Sequence, residues 1–170
     1  MSESMNAPSV QLTVLSPESL AKIDKAVAKY PPEEKQSAVM AALTIAQDEK
    51  GWLSNETMDF VAHYLDMPPV AVYEVASFYT MYDMKPIGRH KLTICTNLPC
   101  ALSGANDAAV YLKQKLGIGF GETTADGRFT LKEGECLGAC GEAPVLLRNN
   151  KQMLCGMTPG KLDVLIEELK

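Results

Sequence analysis

Four of the five cysteines fall in two close pairs, Cys95-x4-Cys100 in CTNLPC and Cys136-x3-Cys140 in ECLGAC, and a chain built to bring both pairs together has few folds open to it. The odd total fits a disulfide framework badly. The first basic residue is Lys22, so the amino terminus has neither the positive segment of a secretory signal nor the arginines of a transit peptide, and a cytoplasmic, reducing location is expected. There, thiols serve metal binding or redox chemistry more often than structural bridges.

The 170 residues suit one medium domain or two small ones. Sixteen basic against twenty-one acidic side chains leave a formal charge of −5, which argues against nucleic acid or anionic lipid as a partner. No apolar run approaches the roughly 18 residues of a membrane span. Residues 1–15 are polar and read as a flexible N-terminal tail. From Ser16 the pattern is helical. Ser16 can cap, Pro17 suits a first turn, and Leu20, Ile23, Val27 and Tyr30 recur at helical steps up to Pro31-Pro32. A second helix opens on Glu33 and Glu34, buries Val39, Ala42, Leu43 and Ala46, and stops at Gly51. A third covers about Asn55 to Leu65. A fourth follows Pro68-Pro69 with Val72, Val75, Ala76 and Tyr79 on one side. Residues 16–88 are therefore expected to be a helical bundle.

Residues 89–170 follow a different pattern. Leu92 and Ile94 alternate with polar neighbours in a strand that runs into Cys95, and a helix is expected from about Ser103 to Leu116. Asp126-Gly127 turns the chain into a second strand with Phe129 and Leu131, leading towards Cys136. Val145 to Arg148 and Gln152 to Cys155 form a hairpin about Asn149-Asn150. Thr158 and Pro159 open a last helix that faces Leu162, Leu165, Ile166 and Leu169 inward. Two strands joined through a helix lie parallel and end at one sheet edge, where ligand sites of open α/β sheets gather. The fold class is thus α/β, and the layout resembles a thioredoxin-like domain preceded by an N-terminal helical bundle. The first strand lacks the C-x-x-C of a dithiol oxidoreductase.

All four paired thiols should meet at that edge. Tetrahedral sulfur suits zinc and iron-sulfur clusters alike. Zinc pairs favour the tight C-x2-C knuckle, whereas a two-iron cluster divides its ligands and tolerates wider gaps, so the spacing favours 2Fe-2S and leaves a zinc-binding structural adaptor as the alternative. The stretch between Cys95 and Ala105 carries no charged side chain, and Gly104, Gly138 and Gly141 are expected to let backbone approach a cluster whose sulfurs need N–H donors. Cys155, beside Met153 and Leu154, reads as a small buried hydrophobe. His63 and His90 lack ligand spacing. The run Gly117-Ile118-Gly119-Phe120-Gly121 follows a helix and has Glu122 at the third glycine position, so it is not a nucleotide loop.

Several blocks, in order, carry a wider resemblance: Gln47 with GWLS at Gly51–Ser54, VYEVASFYTMY at Val72–Tyr82, CTNLPC, GETTADGRFTL, ECLGAC, Ala143-Pro144 and Thr158-Pro159. From Ser16 to the carboxyl end the chain resembles the NuoE family, the thioredoxin-like 2Fe-2S ferredoxin subunits of respiratory NADH:quinone oxidoreductase (complex I). The resemblance implies one 2Fe-2S cluster ligated by Cys95, Cys100, Cys136 and Cys140. It also implies single-electron exchange with the FMN of a partner flavoprotein that binds NADH, other peripheral-arm subunits as neighbours, and a place on the cytoplasmic face of the inner membrane without insertion into it. The chain would be a subunit of an enzyme with no complete active site of its own. Related subunits of NAD-dependent formate dehydrogenases and NAD-reducing hydrogenases stay open as an alternative.

Overall fold

The computed structural model describes residues 14–169, and residues 1–13 of the expected tail lie outside that range. The last two residues of the expected tail are core instead. Leu15 is 2% exposed, and Val14 packs against the same cluster. Leu15 precedes the capping Ser16 and joins that cluster with Leu20 of the first turn, the positions of a hydrophobic staple.

Helix α1 (Pro17–Val27) starts where the Ser16 hydroxyl accepts the Ser19 amide at 3.2 Å. It stops short of Tyr30, because Lys29 and Tyr30 donate to Ala26 and Val27 in a tightened turn and Pro31 disfavours helical backbone before it. Tyr30 is left 42% exposed. The helix expected from Glu33 begins as a 3-10 segment, Pro32–Ala38, broken at Glu34 (φ −108°, ψ 26°). Helix α2 (Val39–Lys50) then buries Val39, Ala42, Leu43 and Ala46 and ends at left-handed Gly51. Helix α3 (Asn55–Tyr64) is capped by Ser54, whose Oγ accepts from the Thr57 amide at 3.1 Å. Helix α4 (Pro69–Phe78) buries Val72 and Ala76, but Tyr79 lies beyond its end and is 38% exposed. Gln47 pins the exit segment to α2: its Nε2 donates to the Met81 carbonyl at 3.0 Å and its Oε1 accepts the Asp83 amide at 2.7 Å.

The chain divides into two compact units after Pro86. Ile87 and Gly88 go with the sheet, since the Gly88 amide donates to Thr130 Oγ1 at 2.6 Å. A Cβ on Gly88 would lie 2.9 Å from the Phe129 carbonyl carbon, so only glycine fits there. In the second unit β1 (His90–Cys95) runs into α5 (Leu98–Leu102) and α6 (Ala105–Leu116). Strand β2 (Phe129–Gly134) then pairs with β1 in parallel, in register from His90↔Phe129 to Cys95↔Gly134. The single helix expected over 103–116 is thus two. Gly104, at φ +90°, separates them. Strands β3 (Leu146–Arg148) and β4 (Gln152–Leu154) form the hairpin about Asn149 and Asn150, both left-handed, and the sheet order is β2-β1-β3-β4. Helix α7 (Pro159–Glu168) joins α6 in one core with Leu92, Ile94, Phe129, Leu131 and Leu146. Thr158 stands at its N-cap but makes no side-chain capping bond.

Candidate metal centre

Because β1 and β2 are parallel and in register, Cys95 and Gly134 end at the same edge. Cys95 is held firmly there. Its amide donates to the Val145 carbonyl at 3.0 Å, its Sγ to the Glu135 carbonyl at 2.8 Å, and the next amide, of Thr96, to Gly134 at 3.1 Å. Helix α5 turns Cys100 inward, and both Cys95 and Cys100 are 1% exposed in a small cluster with Ala105 and Val145. Opposite them, Cys136 and Cys140 lie on the exposed loop beyond β2, with Cys140 opening the 3-10 turn Cys140–Glu142.

The thiols act on one another electrostatically. Burial pushes the Cys100 thiol up, and the hydrogen bond and charge of Cys95, with a smaller contribution from Cys140, push it further. Desolvation raises the Cys140 thiol, and Cys136 and then Cys95 add to it. Cys140 therefore lies near enough to Cys136, Cys95 and Cys100 for charge on one to act on the others, which puts the four residues picked out in the sequence in one neighbourhood. They stand as two neighbouring pairs. Among the described residues, no three histidine, cysteine, aspartate or glutamate side chains close on a point that one ion would occupy. Four thiols gathered without a compensating cation are costly as thiolates, and bound iron relieves that cost, so the donor set fits a cluster divided between two irons.

Gly104 and Gly138 take left-handed backbone, at φ +90° and +76°, and a Cβ at either, or at Gly141, would meet no protein atom within 4 Å. One feature differs from the sequence reading. Cys155 lies past the end of β4, half-buried rather than enclosed, where it packs against the cluster of Cys95 and Cys100. A hydrogen bond to Glu142, then desolvation, pushes its thiol up. Sequence reasoning missed α5 altogether. The available signal was Pro99 in a first turn with Gly104 just past the end. His63 is exposed, and His90 packs its ring 5.6 Å from that of Phe129.

A parallel strand pair that ends in four thiols, backed by two helices and closed by an antiparallel hairpin, defines a ferredoxin of the thioredoxin-like class. Residues 23–170 match the family model described as thioredoxin-like [2Fe-2S] ferredoxin. The corresponding subunit of the NADH-quinone oxidoreductase of Rickettsia bellii is 42% identical over 152 residues, which are 89% of this chain and 90% of that protein. The mitochondrial NADH dehydrogenase [ubiquinone] flavoprotein 2 of Dictyostelium discoideum is 46% identical over 78% of this chain, which spans 54% of that protein. Among solved structures, an NAD+-reducing [NiFe]-hydrogenase in the H2-reduced state shares the fold, with a TM-score of 0.68 and 24% identity over 77% of this chain and 22% of its own. The chain belongs to the thioredoxin-like [2Fe-2S] ferredoxin family and, within it, to the NuoE proteins of NADH-quinone oxidoreductase.

Proposed function

We propose that this chain carries one 2Fe-2S cluster on Cys95, Cys100, Cys136 and Cys140 and exchanges single electrons with the FMN of a partner flavoprotein that oxidises NADH. The observation that supports the reading is the parallel register that ends β1 at Cys95 beside the loop carrying Cys136 and Cys140, with the thiols near enough to act on one another by charge. When bound, the cluster supplies one-electron redox capacity. The protein's part is positional. The hydrogen bonds on Cys95 fix one end of the donor set, α5 buries Cys100 against Val145 and Ala105, and the turn at Cys140 presents the second pair at the surface. In this reading the helical unit forms much of the contact with the partner flavoprotein, and the unit from Ile87 onward carries the redox centre. No helix among the described residues is long and apolar enough to cross a membrane, in keeping with a peripheral position on the cytoplasmic face of the inner membrane.

Identity above 40% to quinone-reductase subunits favours that assembly over a formate dehydrogenase or hydrogenase, since the likeness to the hydrogenase shows the fold alone. Protein purified anaerobically is expected to hold equal iron and acid-labile sulfide, to be red-brown, and to gain a paramagnetic signal on reduction. When NADH is added with the partner flavoprotein, that signal should appear without another reductant. Colourless protein with one tightly held zinc defeats the cluster reading. A coloured protein that NADH and the flavoprotein leave oxidised defeats the partner reading.

A further inference from the structure

Strand β3 pairs with β1 from Leu92↔Arg148 to Ile94↔Leu146, and the same register sets Cys95 opposite Val145. Antiparallel residues paired through the backbone normally exchange two hydrogen bonds. Here one is made. The Cys95 amide donates to the Val145 carbonyl at 3.0 Å, and the returning bond from the Val145 amide to the Cys95 carbonyl is not made among the described residues. Val145 is 1% exposed, and a buried N–H seldom goes without an acceptor. The acceptor at hand is sulfur. Val145 shares a small apolar cluster with Cys95, Cys100 and Ala105. Burial, then the hydrogen bond and charge of Cys95, push the Cys100 thiol up, and a hydrogen bond from the Val145 backbone pulls it down. The peptide plane that carries this N–H is held as well. Its carbonyl, on Pro144, accepts the Met157 amide at 2.9 Å, and the next plane is held by Cys95 through the Val145 carbonyl, so the amide cannot turn aside without breaking a bond.

We propose that Val145 is a positioning residue of the redox centre: its fixed amide donates to the sulfur of Cys100 and favours the reduced state. The proposal rests on the electron-carrier reading above, with Cys100 as a ligand, and adds a residue that sets how readily the centre takes its electron. Reduction brings one electron from the partner's flavin and one more negative charge onto the thiolate-held centre, and no bond forms or breaks in this chain. A donor on a ligand sulfur stabilises the more negative state. Cys136 and Cys140 are exposed and draw donors from water, whereas Cys100, 1% exposed, depends on the protein for one.

The test is a redox titration of the full chain with its cluster, read by paramagnetic resonance. Val145→Pro removes the N–H and leaves the carbonyl for Cys95, whereas Val145→Ala keeps the N–H and trims the packing. At one fixed solution potential the reduced-to-oxidised ratio should fall about fivefold in the proline variant, the usual worth of one hydrogen bond, and stay within about twofold in the alanine variant. Reconstituted in heavy water, the proline variant should also lack one strongly coupled deuteron that the other two proteins show on reduction. If the proline variant fails to load iron, isotopic labelling of valine nitrogen carries the test. The reduced centre of the unsubstituted chain should then couple to a labelled nitrogen, and that of the Val145→Ala chain, labelled alike, should not. A proline variant with ratio and deuteron unchanged overturns the proposal. So does an alanine variant that falls as far as the proline one, or a labelled chain in which no valine nitrogen couples to the centre. Failure of the unsubstituted protein to hold iron would instead strike the electron-carrier reading itself.

Discussion

At the scale of the residue, Glu49 shows how much one polar contact can fix. Its carboxylate accepts the Ser16 amide at 3.0 Å and the Ser16 hydroxyl at 2.8 Å, tying the start of α1 to the end of α2. The Ser19 hydroxyl, then the Ser16 amide and hydroxyl and Lys50, outweigh desolvation and hold this carboxyl at about 2 against an ordinary 4.5. The folded protein thus binds fewer protons than the unfolded chain between those values. Its contribution is complete above pH 4.5 and is lost as pH falls towards 2. Because the group is largely solvated, Glu49→Gln is expected to cost about 1 kcal/mol at neutral pH. Urea melts at pH 7 and pH 3 check this, and the gap between the two proteins should shrink at the lower pH. Among the cysteines the expected contrast is sharper. Cys136→Ser should lose or badly destabilise the cluster, whereas Cys155→Ser should leave the reduced spectrum nearly unchanged, as paramagnetic resonance would record. The closeness of Cys155 to the ligand cluster makes that second variant the more informative one.

At the scale of the element, the decisive pieces are short. Helix α5 has five residues, too few to stand alone in water, and it persists because Cys100 and Ala105 pack with Cys95 and Val145. Its separation from α6 depends on Gly104 at φ +90°. An alanine there pays the left-handed penalty, so Gly104→Ala should cost about 1–2 kcal/mol and weaken retention of iron, measured by melting and by the rate of iron loss to a chelator. At the opposite end of the sheet, Gly88 lies against backbone of Phe129 that has no flexible side chain to yield. Gly88→Ala is expected to destabilise by about 2 kcal/mol, seen in denaturant melts, without changing the spectrum of folded protein.

At the scale of the whole molecule, a cluster held by the proposed ligands would link binding to folding. The cysteine loops carry few enclosed apolar residues beyond Cys95, Cys100, Ala105 and Val145, so a bound cluster would add cross-links where packing is thin. Protein stripped of iron should melt lower in calorimetry, and identical melting would mean that the site contributes little to stability. From the sequence came the family, the change from a helical first half to a strand-bearing second half, and the choice of Cys95, Cys100, Cys136 and Cys140 as the proposed ligands. Apolar periodicity, proline and glycine punctuation and cysteine spacing are local signals, and they survive in a linear string. Leu92 and Ile94 mark their strand, and Val39, Ala42, Leu43 and Ala46 their helix face, before any packing is known. Tertiary structure alone decided the rest. Leu15 entered the core because a cluster was there to receive it, Tyr30 stayed out because the chain turned first, and α5 formed because Cys100 had a buried place to go. The unequal cover over the two thiol pairs belongs to that second class, since exposure is a property of neighbours that the chain acquires only by folding.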